Sequence, residues 1–292
     1  KFLYGAVLPG VPEQPGIAVH LAAADVDVWG MDQPWKLVGL DETDFSYMAD
    51  WGLDYSADRL QDGVVLARLL RVLSGSGFGR LNLLGYSSGV ATGYVLAGRE
   101  ANRPRVLRNI AGFVAVDQTF VAPEGSDPSA CGLAEFYRTE YETGVYEDQY
   151  FGVYFIELGN LAFADPDGPS PYFEGFTNLQ AALGWGVYPE DGATNHLVAG
   201  TFDGDGLPDG LQYTSVPGYV DFLRFASPYD PTRFIYEVAD VACGEADTPF
   251  DDQLGDVEIP VRAIGAAGGG GEDSFHTLTL LGRSDVATLL GQ

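Results

Sequence analysis

Between an apolar run at residues 81–84 and a helix-compatible run at residues 90–97 the chain reads Gly85-Tyr86-Ser87-Ser88-Gly89. A serine with glycine two residues to either side suits a tight strand-to-helix turn, because glycine lets the two backbones approach closely. The turn fixes a strand that enters it, a helix that leaves it and a hydroxyl displayed between them. The first N–H groups of such a helix have no acceptor within it, so Ser88 N–H is placed to meet negative charge. Spacing alone is weak in a chain with 39 glycines, and the flanking runs supply the weight.

Around this turn, residues 1–117 alternate between strand-like and helix-like runs. Residues 2–8 read as a strand broken by Pro9-Gly10-Val11-Pro12, residues 17–24 as a helix, and residues 26–32 as a second strand ending at Asp32. Leu60, Val64, Ala67, Leu70 and Leu73 make a helical stripe, and residues 110–116 read as a strand that closes at Asp117. Alternation of this kind predicts an α/β fold, with a mostly parallel sheet and helices on both faces. Residues 118–250 lose the alternation and gather aromatic residues, among them Phe136, Tyr141, Phe155 and Phe173. We expect a cap insertion there, mainly helical or irregular, over the carboxyl edge of the sheet where open α/β folds bind ligands. The alternation resumes at residues 257–267, a strand with Pro260 near its start, followed by four glycines at 268–271. Residues 286–290 read as the first turns of a helix. The expected domains are a core of residues 1–117 and 251–292, open to truncation at both ends, and a cap of residues 118–250.

Forty-two acidic residues oppose fifteen basic ones for a net charge of −27, and Lys1 and Lys36 are the only lysines. That balance disfavours nucleic acid and anionic membranes as partners. The acids are scattered, as on a solvated surface, either of a protein from salty surroundings or of a merely soluble acidic one. No apolar run is long enough for a membrane span, and no signal peptide is visible. Because the chain begins at Lys1, that says little about its compartment. Cys131 and Cys243 each sit in an Ala-Cys-Gly triplet. Two cysteines do not make a metal site; they form either a disulfide that clips the ends of the middle segment or two buried thiols. The disulfide would favour an extracytoplasmic home.

This order of strand, helix, turn serine, acid-ended strand and inserted cap resembles the α/β-hydrolase superfamily over nearly the whole chain outside the cap. Gly85 to Gly89 is the one specific motif. The resemblance implies a serine hydrolase that acts on a carboxylic ester or related acyl small molecule without a cofactor. It implies Ser87 as nucleophile, activated by a histidine that a carboxylate orients. An oxyanion hole would come from Ser88 N–H and an N–H of the loop that holds Pro9 and Gly10. Leu8-Pro9-Gly10 departs from the family's usual His-Gly pair, and the strands that normally precede it would lie before Lys1. The family order of serine, acid and histidine excludes His20. His196 falls in the cap and reads as a surface residue. His276 is the base if residues 257–267 form the last strand; otherwise the base lies beyond Gln292 or is absent. The acid is Asp117, which pairs with His276 in a complete sheet, or one of Glu272, Asp273 and Asp285. A chain that kept the turn and lost the base would be a non-catalytic ligand-binding or interaction protein.

Asp203-Gly204-Asp205-Gly206-Leu207-Pro208-Asp209 resembles a calcium-binding loop, with Asp203, Asp205 and Asp209 as weak candidate ligands. Thr201 and Gln212 stand where the first acid and the bidentate glutamate belong, so a plain polar turn is the expectation. The aromatic residues of the middle segment line an acyl pocket or form that segment's own core. Trp29 and Trp35 read as packing residues.

Overall fold

Residues 16–148, 150–187, 200–212, 214–265 and 273–283 are described in the computed structural model of the chain. In chain order its helices are α1 (Ile17–Ala23), α2 (Leu53–Leu73), α3 (Ser88–Ala101), α4 (Pro128–Glu142), α5 (Tyr150–Ala164), α6 (Asn178–Val187), α7 (Val216–Arg224), α8 (Thr232–Cys243) and α9 (His276–Thr279). The strands that organise it are β1 (Leu81–Tyr86), β2 (Ile110–Val116), β3 (Gly200–Phe202), β4 (Pro208–Leu211) and β5 (Val261–Ile264). The protein is a mixed α/β chain that divides into two compact units, one of residues 1–42 and 148–230 and one of residues 43–147 and 231–292.

The second unit holds a parallel sheet in the order β1-β2-β5. Leu84 pairs with Val114 and Val114 with Arg262; Tyr86 pairs with Val116 and Val116 with Ile264. Among the described residues of the apolar run at 257–267, the strand is Val261–Ile264. Pro260 brings no N–H to the ladder and offers its C=O to Phe113 N–H at 2.9 Å. Helix α3 covers the face that carries Leu83, Phe113 and Ala115. Gly93 is what lets it settle, since a Cβ there would lie 2.4 Å from the Phe113 ring. The next residue, Tyr94, stands edge-on to Phe113 at 5.0 Å and stacks on Phe120 at 5.2 Å. Burying such a ring contributes about 1.5–3 kcal/mol. Burial also pushes the Tyr94 phenol far above its usual range, and its hydroxyl has no hydrogen bond among the described residues.

Glu100, buried at the end of α3, accepts the N–H groups of Asn109 and Ile110 and the Asn109 side-chain amide, so its carboxyl group pins the start of β2. Helix α2 starts at Leu53, a full two turns before the apolar stripe read from sequence. Glu237 of α8 captures the Leu53 N–H at 2.6 Å and so occupies a donor that the helix itself cannot satisfy. Val64 packs with Leu96 and Ile110, whereas Leu70 and Leu73 stay 39% and 74% exposed, so the stripe's last turn faces solvent.

One expectation needs correction. Residues 26–32 form no strand: they are mostly exposed, and aspartates interrupt their apolar positions where a parallel strand needs cover on both faces. Helical cover of the sheet is found on one face among the described residues; on the other, Leu84 and Ile264 keep 38% and 39% of their surface exposed. Residues 2–8 and 286–290 lie outside the described residues.

In the first unit, α5, α6 and α7 pack around Leu158, Leu183 and Leu223, with Phe155 edge-on to Trp185 at 4.7 Å. Phe155 and Trp185 are partly buried against this core, whereas Phe163 and Phe173 are exposed. Trp35 is buried, as expected of a packing residue, while Trp29 is exposed. β3 and β4 pair as an antiparallel hairpin.

Candidate active site

β1 ends at Tyr86 and α3 begins at Ser88, so Ser87 alone makes the turn. Its backbone takes φ 50° and ψ −130°. A positive φ of this kind costs a non-glycine residue about 1–3 kcal/mol and persists only where the surroundings impose it. Here they do: Ser87 N–H continues the sheet by donating to Val116 C=O at 3.1 Å, and its C=O already accepts Val90 N–H at 2.8 Å. Gly85 makes the approach feasible, because a Cβ at that position would sit 2.5 Å from the Gly89 carbonyl oxygen. A Cβ on Gly89 would meet nothing within 4 Å, so the steric need for glycine holds at Gly85 alone. Ser87 is half-buried, and Ser88 is exposed as the first residue of α3.

Asp117 follows Val116, the register partner of Tyr86, so Ser87 and Asp117 are the first residues beyond the paired ends of β1 and β2. Neighbouring strands lie about 4.8 Å apart. Asp117 also has a positive φ, 54°, and donates its N–H to Ile264 C=O at 2.7 Å. Among the described residues three non-glycine positions have positive φ, and two of them are this adjacent pair at the carboxyl edge of the sheet. The Tyr86 phenol is pushed up, by burial first and by the Asp117 charge second.

Beyond β5 lies the short turn Asp273–Phe275, and α9 opens with the half-buried His276. Thr277, fully buried, accepts Val121 N–H at 3.0 Å and donates to Val121 C=O at 3.4 Å. Val121 belongs to the loop that leaves Asp117, and its neighbours are fixed as well. Phe120 stacks on Tyr94, and Ala122 N–H donates to Ala242 C=O at 3.3 Å. The next residue of α8, Cys243, forms a disulfide with Cys131 of α4, which decides between the two cysteine states. Ser87 and Asp117 thus each leave the paired ends of β1 and β2, and His276 is tied through Thr277 to the loop that follows Asp117. Neither the Ser87 hydroxyl nor the His276 imidazole forms a hydrogen bond to another described residue. Thr277 carries no sequence motif and meets its partner 156 residues away in the chain.

Pro9, Gly10, His196, Glu272 and Asp285 lie outside the described residues. Asp273 is exposed at the start of its turn, and His20 is exposed on α1. In the β3–β4 hairpin, Asp203 accepts the N–H groups of Asp205 and Leu207, both at 2.9 Å, and Asp209 accepts the Thr201 hydroxyl at 2.7 Å. Those carboxylates hold the hairpin's own turn. Among the described residues, the metal-ligating side chains that come together, within 4.8 Å, are Cys131, Cys243 and Glu245, and both sulfurs there are engaged in the disulfide.

No protein-family model and no curated protein matches the chain. Among solved structures it is similar to the thioesterase domain from the curacin biosynthetic pathway, at 12% identity and a TM-score of 0.26 over 75% of this chain and 62% of that one. It is also similar to an esterase carrying a point substitution, at 15% identity and a TM-score of 0.30 over 76% and 57%. A hypothetical protein from Pseudomonas aeruginosa matches at 18% identity and a TM-score of 0.23 over 78% and 58%. The chain spans about three fifths of the length of each of these structures. At such scores the site rests on its own geometry.

Proposed function

We propose that this chain is a serine hydrolase of the α/β-hydrolase type, acting on a carboxylic ester or a related acyl compound. The observation that carries the reading is the backbone of Ser87, held at φ 50° between β1 and α3 with Gly85 pressed against Gly89. In the proposed reaction the Ser87 hydroxyl attacks the acyl carbonyl while His276 takes its proton. Asp117 orients the imidazole and favours its charged form, and Ser88 N–H at the start of α3 stabilises the oxyanion. Collapse of the tetrahedral species releases the alcohol with the proton that His276 returns, and water then frees the acid by the same route. Asp117 is preferred to Asp273 because it shares the strand edge and the strained backbone of Ser87. The assignment of residues 1–117 and 251–292 to the hydrolase core and of 118–250 to an insertion belongs to the same proposal. The Cys131–Cys243 disulfide fits an oxidising compartment.

A second reading, a ligand-binding member without hydrolase activity, draws on the absence of hydrogen bonds from the Ser87 hydroxyl and the His276 imidazole to other described residues. Hydrolysis of p-nitrophenyl acetate and butyrate distinguishes the two. The hydrolase reading expects turnover that falls by about a thousandfold or more in Ser87→Ala and in His276→Gln. Turnover equal to that of both variants would favour the binding protein.

A further inference from the structure

We propose that Thr277 is a positioning residue for the candidate base, an inference that rests on the hydrolase reading above. The side chain is wholly buried, and its hydroxyl makes two bonds to a single residue, accepting Val121 N–H at 3.0 Å and donating to Val121 C=O at 3.4 Å. A hydroxyl can do both at once because it carries one proton and two lone pairs. Val121 in turn has little freedom. Phe120 before it stacks on the buried Tyr94, and Ala122 after it is bonded to Ala242 beside the disulfide. The loop that leaves Asp117 is therefore anchored on three sides, by α3, by α8 and by Thr277.

His276 precedes Thr277 directly, so the clamp sets where the backbone of the base stands relative to the loop of the candidate acid. The imidazole has no hydrogen bond of its own to another described residue, which leaves the backbone anchor at Thr277 as the constraint nearest to it. Position matters more here than strength. A displacement of about 1 Å of a reacting group is enough to cost on the order of a hundredfold in rate. Serine keeps both bonds of the clamp, whereas valine keeps the shape and loses both, leaving the Val121 N–H and C=O buried without partners.

The test compares Thr277→Val, Thr277→Ser and His276→Gln with the wild type on p-nitrophenyl butyrate, together with amide hydrogen exchange at Val121. We expect Thr277→Val to lose about tenfold to a hundredfold in kcat with KM changed by less than about twofold, and Thr277→Ser to recover most of that loss. A folded Thr277→Val with wild-type kcat, or a Thr277→Ser as slow as Thr277→Val, overturns the proposal. If His276→Gln is inactive while Thr277→Val is unaffected, the clamp alone fails; if His276→Gln turns over like the wild type, the assignment of the base fails with it. Should Thr277→Val not fold, the wild type still decides: slow exchange of the Val121 amide supports the clamp, and exchange as fast as that of an exposed amide overturns it.

Discussion

At the scale of single residues, the Ser87 turn shows which positions the fold constrains and which it leaves free. Gly85 and Gly89 look equivalent in sequence, yet only Gly85 faces a carbonyl oxygen that a Cβ would strike at 2.5 Å. Gly85→Ala should therefore lose soluble folded protein or thermal stability by several kcal/mol, whereas Gly89→Ala should melt within about 1 kcal/mol of the wild type, helped by the better helix propensity of alanine. Melting curves of the two variants check this, and equal losses would contradict it. A second residue-scale effect is hidden from sequence altogether. The Asp230 carboxyl is pushed up to about 6 by burial and then by the charge of Asp148, against the Trp35 side chain and the Lys36 charge, which favour ionisation. Between about pH 4 and pH 6 the folded chain keeps this proton and the unfolded chain has released it, so stability falls as pH rises through that window and stays lower above it. Asp230→Asn should melt like the wild type near about pH 4 and be more stable by on the order of 1 kcal/mol near about pH 7.5. A variant that gains nothing at the higher pH would show that the buried charge is fully compensated. The serine turn was legible because its glycine spacing is local, while Asp230 and Thr277 acquire their roles from partners far away in the chain.

Secondary-structure elements were legible where a single element carries its own signal. β1, β2 and the helix after Ser87 follow from apolar runs and from the turn between them. Residues 26–32 misled because apolar content reports a preference for burial and not the presence of a partner strand, and here no partner pairs with them among the described residues. The stripe on α2 misled in part for the same reason: Leu70 and Leu73 continue a periodicity that packing does not use. Between α4 and α8 the sequence left two states open, and the disulfide joins cysteines 112 residues apart. Loop-closure entropy for a span of that length amounts to about 4.7 kcal/mol, and disulfides typically deliver about 2–4 kcal/mol. Reduction, or the double substitution Cys131→Ala with Cys243→Ala, should lower the urea midpoint accordingly. The same change should slow ester hydrolysis, because Ala242 beside the bridge holds Ala122 in the loop that leaves Asp117. An unchanged midpoint after complete reduction would show that packing of α4 on α8 suffices without the covalent link.

For the whole molecule, the charge of −27 is the dominant long-range force. Self-repulsion among carboxylates opposes the compact state, and salt screens it, with a Debye length near 10 Å at about 0.1 M and near 3 Å at about 1 M. Raising sodium chloride from about 0.1 M to about 2 M should raise the melting temperature by several degrees; a decrease would mean that the ion pairs, such as Arg138–Asp240 and Arg233–Glu237, outweigh the repulsion. The division into two units was not legible, because residues 1–42 join 148–230 through contacts such as the Trp35 side chain on Asp230 that no local periodicity encodes. What was legible is the local device on which the functional reading depends, a strained serine between a strand and a helix. Treatment with a fluorophosphonate probe followed by peptide mass analysis tests that reading most directly. The account predicts one covalent adduct, on Ser87, that disappears in Ser87→Ala and is strongly slowed in His276→Gln. An unlabelled wild-type protein, or an adduct that persists in Ser87→Ala, would contradict it.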